Sequence, residues 1–491
     1  MHPRCFSTAL ACLFLTAAVV GLSPGGAATA PPRGVTVPSQ TQGSGGLPAP
    51  QQTPAYAAGP VLATPQTPTY LPALQIPPLP SGAPSAVPSG RAISIPEAIT
   101  IALANQPQLA LAAYSSDAAR ERVREAASGL YPTLSISAAG QHTVYSGEAT
   151  TVSSSGGYST DFSARELLWD FGKTPATVGQ ARNLAEAARQ ALAQTRQDTI
   201  NQIKQSYYTL LQDQELVRVQ LQTVNDQQAN LELTQGRFDA GVAPRSDVAT
   251  AEAAVADAVL NLATAQNAAA AAKVNLNIAL GIDLRTPTTV EQADEAGPSV
   301  VDPATLVEQA FSGRPAIKQA RAQVDAARNA LRIARTNNRP DFILGGTYGL
   351  TGGTFPPDSS ASWAYGVSMA WPLFDVGLTK GLIREAEANL LAAQTQLRQS
   401  EQTVSSQVIV AYLNVQTARQ KVTAAEADVA SAEESLRLHT GRYEAGVAAY
   451  IEVTDAETAA LTARTNLVNA RFALSTSLAA LESALGVVEG G

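Results

Sequence analysis

The feature that most constrains this chain is a long internal duplication. Three landmarks of the first copy recur 205 residues later: Asp170 as Asp375, Gly236 as Gly441 and Leu280 as Leu485. Upstream, Pro107 and Pro132 recur 208 residues later, as Pro315 and Pro340, so the two copies differ in length only between Pro132 and Asp170. We therefore predict one supersecondary unit present twice, at 91–281 and 303–486, with an inter-repeat linker at 282–302 and a short C-terminal tail at 487–491.

The N-terminus has the pattern of a secretory signal. Residues 1–30 contain Arg4, an apolar run, and a small-residue site at Ala28-Thr29-Ala30. Both cysteines, Cys5 and Cys12, lie inside this segment, so the exported chain is predicted to contain no thiol and no disulfide. The alternative, a lipoprotein cleaved just before Cys12, would require a cut inside the apolar run.

Residues 31–90 differ sharply in composition from the duplicated part of the chain. They hold half of the chain's 30 prolines and a single charged residue, Arg33. Such a segment is expected to be a disordered, partly polyproline-like extension, and a tether or spacer is its simplest role. The whole chain carries a net charge of -8, which argues against a nucleic-acid partner held through phosphate contacts.

The alanine-rich parts of each copy show helical periodicity. Apolar residues follow alternating spacings of three and four, as in a coiled-coil seam, with Gln214 and Gln228 in two places of the first copy and the same register kept in the second. In the first copy they are Ile200, Ile203, Tyr207, Leu210, Val217, Leu221, Val224 and Leu231, and in the second Val408, Tyr412, Val415, Val422, Val429 and Leu436. We predict helices of about 60 residues, or roughly 90 Å, the first starting at Thr174-Pro175. Each is expected to pack antiparallel against two shorter helices stacked end to end.

Between these helices the pattern changes to alternation. Residues 132–170 and 340–375 each read as a long β-hairpin, with Leu134, Ile136 and Ala138 on one face of a strand and Phe342, Leu344, Gly346 and Tyr348 on one face of another. All three tryptophans, Trp169, Trp363 and Trp371, fall in these two segments, as expected of the aromatic girdle of an outer-membrane barrel. The alternative is a soluble β-domain with an aromatic core.

Two hairpins supply four strands, and a spanning barrel needs at least about eight. One chain therefore cannot close a barrel, and an oligomer is required. No uninterrupted run of 18 or more apolar residues follows the signal, so we expect no membrane-spanning helix.

Each repeat has the same order of motifs. A hairpin ends in W-D-F-G or F-D-V-G, a long helix follows, and G-R-[FY]-x-A-G-V lies at a helix–helix turn. This duplicated order resembles the TolC outer-membrane efflux family. The resemblance covers residues from about 95 to 486. It implies an α+β membrane protein that forms a homotrimer, with four strands per chain in a twelve-stranded barrel. A long antiparallel coiled-coil tunnel would continue this barrel from the outer membrane into the periplasm.

By the same resemblance, the two helix–helix turns are periplasmic tips that dock an adaptor protein. The residues concerned are Gly241, Val242 and Ser246 in the first turn and Gly446 and Val447 in the second. Glycine allows a backbone geometry that side chains disfavour, and small residues allow another helical hairpin to approach closely. The alternative is that these glycines only end helices. The second turn has Ile451 where the family often has a hydroxyl residue.

The resemblance also indicates a periplasmic gate formed by Asp247, Tyr443, Glu452 and Asp455. Glu452 and Asp455 are three residues apart and share a helix face, so a threefold assembly would place six carboxylates around one constriction. The alternative is an ordinary solvated acidic face. A basic gate residue of the best-studied member is replaced here by Ala448.

No catalytic motif, cofactor-binding motif or metal-ligand spacing is recognisable, so we expect a protein that is not an enzyme and needs no cofactor. Without a nucleotide motif, the energy for export must come from an inner-membrane RND or ABC transporter, joined through a periplasmic adaptor protein. Small-molecule efflux is the leading hypothesis and type I protein secretion the alternative. A trimeric coiled-coil adhesin with a barrel anchor is disfavoured because the hairpins are internal.

Overall fold

Two helices of 67 residues each dominate the computed structural model, which describes residues 91–146, 152–292, 302–353 and 360–486. The predicted signal at 1–30, the extension at 31–90, the tail at 487–491 and part of the linker lie outside the described residues. The elements of the first repeat are β1 (Ala92–Ile93), α1 (Ile95–Asn105), α2 (Pro107–Ser128), β2 (Thr133–Ser146), β3 (Val152–Trp169), α3 (Lys173–Asp239) and α4 (Arg245–Leu280). Those of the linker and the second repeat are β4 (Thr289–Val290), α5 (Pro303–Gly313), α6 (Pro315–Thr336), β5 (Asp341–Gly352), β6 (Ser360–Ala370), α7 (Leu378–Glu444) and α8 (Tyr450–Leu485).

The start of α3 differs from the predicted cap at Thr174-Pro175. The Asp170 carboxylate accepts hydrogen bonds from the backbone N–H groups of Gly172 (3.0 Å) and Thr174 (2.5 Å). Phe171 and Gly172 both have positive φ, 54° and 89°. The aspartate of the recurring motif is therefore the capping residue, and Pro175 lies inside the first turn, where its missing N–H costs nothing.

The second repeat reproduces this junction. Asp375 accepts from the N–H groups of Gly377 (3.0 Å) and Thr379 (2.8 Å), and Val376 and Gly377 have φ of 52° and 89°. A hydrogen bond from the Thr379 side chain, together with these backbone hydrogen bonds, lowers the pKa of Asp375, so its carboxylate stays ionised. The motif D-x-G thus recurs because it turns the end of a strand into the start of a helix.

Half of the predicted coiled-coil seam residues are buried, and all but one of the others are half-buried. Ile203, Tyr207, Leu210 and Val408 have no exposed surface. Leu221 is 49% exposed, so its assignment to the seam within the chain is wrong. At this level of α3 the buried residues are Thr223, Val224 and Gln227, so the face that packs against the neighbouring helices includes polar positions and turns away from Leu221.

The two hairpins form one antiparallel sheet in the order β2-β3-β5-β6. Opposed residues such as Phe162 and Tyr348, or Tyr348 and Trp363, point to the same face. That face carries the exposed apolar side chains of Leu134, Ile136, Phe162, Leu344, Tyr348, Trp363, Tyr365, Val367 and Met369. Glu166, at the end of the sheet near the helices, is the exception on this face. The other face carries Ser135, Ser137, Asp161, Ser163, Arg165, Thr347, Ser362 and Ser368. The predicted alternation is confirmed, and β2 and β6 are left as edge strands in the single chain.

A small parallel pair of strands ties the linker to the first repeat. β4 lies within the predicted linker and pairs with β1. The buried Tyr207 hydroxyl lies 2.8 Å from the Ile93 carbonyl and 2.5 Å from the Glu291 carbonyl, and burial raises its pKa to about 12. Around it the apolar residues of α1, α3 and α4 form one core, and those of α5, α7 and α8 form its counterpart in the second repeat.

Among the residues that the structure describes, one helix is long and apolar enough to cross a membrane by length and composition alone, contrary to the expectation from sequence. This helix is α4, with a mean hydropathy of 1.3 over the relevant window. Its apolar character comes largely from alanine, and polar residues such as Asp257 interrupt every long run. In the fold it packs along α3 and is continuous with the tip turn, as a coiled-coil helix would be.

Candidate functional site at the helical tips

The first tip, between α3 and α4, is closed by a Schellman turn. The Gly241 N–H donates to the Phe238 carbonyl (2.9 Å) and the Val242 N–H to the Arg237 carbonyl (3.0 Å). Gly241 has a φ of 72°, which L side chains rarely adopt. An added Cβ at Gly241 would meet no atom within 4 Å, so the turn requires glycine for its backbone angle and not for space.

The second tip, between α7 and α8, repeats this turn bond for bond. The Gly446 N–H donates to the Tyr443 carbonyl (2.9 Å) and the Val447 N–H to the Arg442 carbonyl (3.0 Å), with Gly446 at a φ of 75°. Val242 and Val447, each next to its glycine, are 65% and 67% exposed. Both predicted docking segments therefore present an exposed valine at the end of a helical hairpin.

The flanks of the two turns differ. In the first, Ser246 is exposed at the start of α4 and its hydroxyl lies 3.5 Å from Asp247. In the second, Ile451 is 58% exposed at the corresponding place. The hydroxyl expected from the family is thus available at only one tip.

The two tips contact each other through an aromatic and cationic cluster. Tyr443 and Tyr450 are each 4% exposed, with ring centroids 5.4 Å apart. The Arg237 guanidinium, from the first tip, lies 4.7 Å from the Tyr443 ring centroid and donates to the Glu444 carbonyl at 2.9 Å. Arg237 therefore joins the first tip to the second.

Of the predicted gate residues, Glu452 is the most strongly engaged. Its carboxylate lies 3.0 Å from the Arg442 guanidinium and 3.2 Å from Nδ1 of His439, and accepts a long hydrogen bond of 3.4 Å from the Ala449 N–H. Asp455, three residues on, is exposed and forms no ion pair among the described residues. The two carboxylates thus share α8 as predicted, but only Glu452 has a cationic partner within the described chain.

Asp247 and Tyr443, assigned to the same gate, are not joined by a hydrogen bond. Tyr443 is instead buried between Arg237 and Tyr450. Within one chain, then, the four gate residues lie on the tips without forming one bonded group. Their placement around an axis remains a prediction about the assembly.

The residue that sequence reasoning missed is Glu457. It is 7% exposed, and its carboxylate accepts a hydrogen bond from the Gln227 amide at 2.9 Å while its other oxygen has no partner among the described residues. Burial and the nearby charge of Asp226 raise the pKa of Glu457, although the Gln227 hydrogen bond opposes the shift. Burial, with the charge of Glu457, also raises the pKa of Tyr450 to about 12. The sequence did indicate this residue, because Glu457 follows Tyr450 and Val453 at the spacings of three and four that are otherwise occupied by apolar seam residues.

Next to Glu457 lies a more solvated ion network. The Arg464 guanidinium contacts Glu433 at 2.9 Å and Asp226 at 3.4 Å, linking α3, α7 and α8. The predicted girdle lies at the other end of the molecule, where Trp169, Trp363 and Trp371 are between half and three-quarters exposed. Trp169 and Trp371 lie where the sheet meets the helices, and Trp363 lies eight residues before Trp371, about 26 Å along an extended strand.

The chain matches the family model described as outer membrane efflux protein at residues 98–282 and 306–487, once for each repeat. It is 25% identical over 402 residues to the outer membrane protein TolC of Escherichia coli, covering 78% of this chain and 80% of that protein. It is 24% identical over 399 residues to the probable efflux pump outer membrane protein TtgC of Pseudomonas putida, covering 79% and 82%. The outer membrane protein VceC of Vibrio cholerae superposes with a TM-score of 0.71 at 22% identity, covering 80% and 96%.

Proposed function

The chain belongs to the outer membrane efflux protein family, and from that premise we propose that it is a passive outer-membrane exit channel for substrates exported by an inner-membrane transporter. The observation that carries the proposal is the order of surfaces along one molecule. A sheet with an exposed apolar face continues into helices of about 100 Å, which end in two matching glycine turns. The apolar sheet face suits a membrane, the long helices suit an aqueous space next to it, and the glycine turns suit a docking partner.

Three chains assemble around one axis in this proposal. Each chain offers four strands with two unpaired edges, β2 and β6, and unpaired edges are not tolerated inside a bilayer. Pairing β6 of one chain with β2 of the next closes a twelve-stranded barrel whose serine-rich face lines the interior. Detergent-purified protein should then be a heat-modifiable trimer in native mass spectrometry, and a monodisperse soluble monomer would contradict the assembly.

The tips dock a periplasmic adaptor protein, which connects the channel to an RND or ABC transporter. The exposed valine beside each glycine and the alanines that follow leave room for a helical hairpin to approach closely. Small-molecule efflux is the proposed task, because a relative of similar length and coverage is named as an efflux pump component.

The test is a deletion strain complemented with the wild-type chain or with Gly446→Arg. Loss of the chain should increase sensitivity to small toxic compounds, and only the wild type should restore resistance. Secreted proteins are measured in the same cultures. A loss of specific secreted proteins with unchanged compound sensitivity would replace efflux by type I secretion, and no change in either would contradict a channel role.

A further inference from the structure

A groove of about 750 Å³ lies where the sheet of the second repeat meets its helices. The end of α6, the end of β6 and the first three turns of α7 form its walls. Its lining combines aromatic and apolar side chains with three cations, Arg339, Lys380 and Arg384. We call it the cationic groove.

Within the described part of one chain, the three cations have no acidic partner. All are exposed, and none forms an ion pair among the described residues; Arg339 only lies 5.8 Å from the Phe171 ring centroid. The two acidic residues of the groove are both occupied. Glu387 pairs with Arg335 at 3.2 Å, and Asp375 caps α7 through the N–H groups of Gly377 and Thr379. The groove therefore presents positive charge to solvent.

The apolar face of the sheet leads directly into this groove. Trp371 lies two residues beyond Met369, on the side that carries Tyr365 and Val367, and its indole N–H donates to the Asn338 carbonyl at 3.1 Å. Leu373 and Phe374 follow, 78% and 86% exposed. Acyl chains lying on the sheet face would thus end at a point where cations and an anchored indole face the aqueous side.

The first repeat has none of these three cations at the equivalent positions. Applying the offsets of the duplication, Arg339, Lys380 and Arg384 correspond to Tyr131, Pro175 and Gly179. The backbone of the junction is the same in both repeats, so the fold does not require these cations.

We propose that the cationic groove binds the headgroup phosphate of a glycerophospholipid from the periplasmic leaflet, with preference for an anionic lipid such as phosphatidylglycerol. Arg339, Lys380 and Arg384 contact the phosphate, Trp371 lies at the glycerol level, and the acyl chains cover the apolar sheet face. One lipid per chain is bound, at the second repeat only.

The test is tryptophan quenching by brominated lipids. In a Trp169→Phe/Trp363→Phe background, Trp371 is the only tryptophan left in the chain. The protein is reconstituted in bilayers that contain either brominated phosphatidylglycerol or brominated phosphatidylcholine. Half-maximal quenching should occur at a mole fraction of brominated phosphatidylglycerol at least about fivefold lower than that of brominated phosphatidylcholine. A factor of about five is the effect expected of a single exposed Lys or Arg near an anionic surface.

The triple variant Arg339→Gln/Lys380→Gln/Arg384→Gln should abolish this preference. Arg384→Gln alone should reduce it, and Arg384→Lys should keep it. The matched control is Arg182→Gln, which removes an exposed arginine from the corresponding part of α3. Equal quenching by the two lipids, a preference that survives in the triple variant, or equal losses in Arg182→Gln and Arg384→Gln would each overturn the proposal. If the triple variant does not fold, the single variants decide the question, and none of these results depends on what the channel exports.

Discussion

The two tips have the same backbone and different side-chain chemistry. Both close with a glycine at positive φ, the same pair of turn hydrogen bonds and an exposed valine. Around the first tip the side chains are mostly solvated, whereas around the second Tyr443 and Tyr450 are buried and Glu452 is held by Arg442 and His439. The two copies therefore share the shape of the turn, whereas only the second has buried tyrosines and an ion pair beside it among the described residues.

The equivalent arginines show how this difference arises. Arg237 and Arg442 occupy the same place in the G-R-[FY] motif, 205 residues apart. Arg442 stays in its own tip and pairs with Glu452, while Arg237 crosses to the other tip and covers Tyr443. One residue type at one backbone position thus makes a local contact in one repeat and an inter-repeat contact in the other.

The largest effect on export is expected from substitutions at the turn glycines, where the two tips have the same backbone geometry. Gly241→Arg or Gly446→Arg should abolish export, because the long side chain blocks close approach of a docking hairpin. Neither should prevent folding, since an added Cβ meets no atom within 4 Å at Gly241 and only the Arg237 side chain, at 3.6 Å, at Gly446. The strain of a positive φ costs roughly 1 kcal/mol. Compound resistance in the complemented deletion strain is the measurement.

Gly241→Asn and Gly446→Asn are the controls for this prediction, because asparagine tolerates the left-handed region and stays short. They should retain most export. Normal export in both arginine variants, with the protein present in the outer membrane, would show that the tips are not a docking surface.

The second-largest effect concerns ion selectivity and distinguishes the contributions of the two carboxylates of the second tip. Glu452→Ala/Asp455→Ala should weaken cation preference and relieve block by multivalent cations in planar bilayers, since a ring of carboxylates attracts cations. Asp455→Asn alone should have a larger effect than Glu452→Gln, because Arg442 already offsets part of the charge of Glu452. Reversal potentials and block that are unchanged in the double variant would place both carboxylates outside the tunnel.

A smaller effect should distinguish the equivalent arginines. Arg237→Ala should lower the stability of the helical part by about 1–2 kcal/mol, because it removes a cation from over the buried Tyr443 ring and a hydrogen bond to the Glu444 carbonyl. Arg442→Ala should cost about 0–1 kcal/mol, since it breaks an exposed ion pair. Thermal unfolding followed by circular dichroism measures both. Equal losses would mean that the cluster at Tyr443 does not join the tips.

The smallest effect concerns the buried carboxylate of the second tip. The pKa of Glu457 is raised in the folded protein, so folding binds a proton, and the penalty for the charged form is absent at low pH and grows as pH rises through the folded pKa. Glu457→Gln keeps an acceptor for Gln227 and should stabilise the protein at neutral pH by about 1 kcal/mol. Its melting temperature should then approach that of the wild type as pH falls through the pKa of Glu457. A difference in melting temperature between Glu457→Gln and the wild type that does not narrow as pH falls would contradict the assignment.

Much of the fold was predictable because its signals are periodic or repeated. The duplication, the hairpins and the two faces of the sheet follow from spacings that a single sequence shows, and the buried Ile203 and Val408 confirm the seam. The prediction for Leu221 was wrong because periodicity identifies an apolar stripe, whereas the face of α3 that is buried at this level includes the polar residues Thr223 and Gln227. The cap was misplaced because Thr174-Pro175 is a common helix start, whereas Asp170 acts through an unusual pair of positive φ angles.

The site was less predictable, because its contacts cross between repeats. Arg237 lies over a ring about 200 residues away, and no local pattern reports this. Glu457 could have been noticed as a charge at an apolar seam position, but its hydrogen bond to Gln227 depends on how α3 and α8 are aligned. Glycine turns and carboxylate spacing could be found from sequence because they are properties of neighbouring residues.

The D-x-G junctions have a mechanical consequence for the far end of the molecule. Each long helix begins at a turn fixed by two left-handed residues and an aspartate cap, so its direction is set where it leaves the sheet. Over a helix of about 100 Å, a tilt of about one degree at this turn displaces the tip by about 2 Å. The rigidity of a few residues at the junction therefore limits how far the tips can move. A small increase in flexibility at the junction would produce a much larger displacement at the tips.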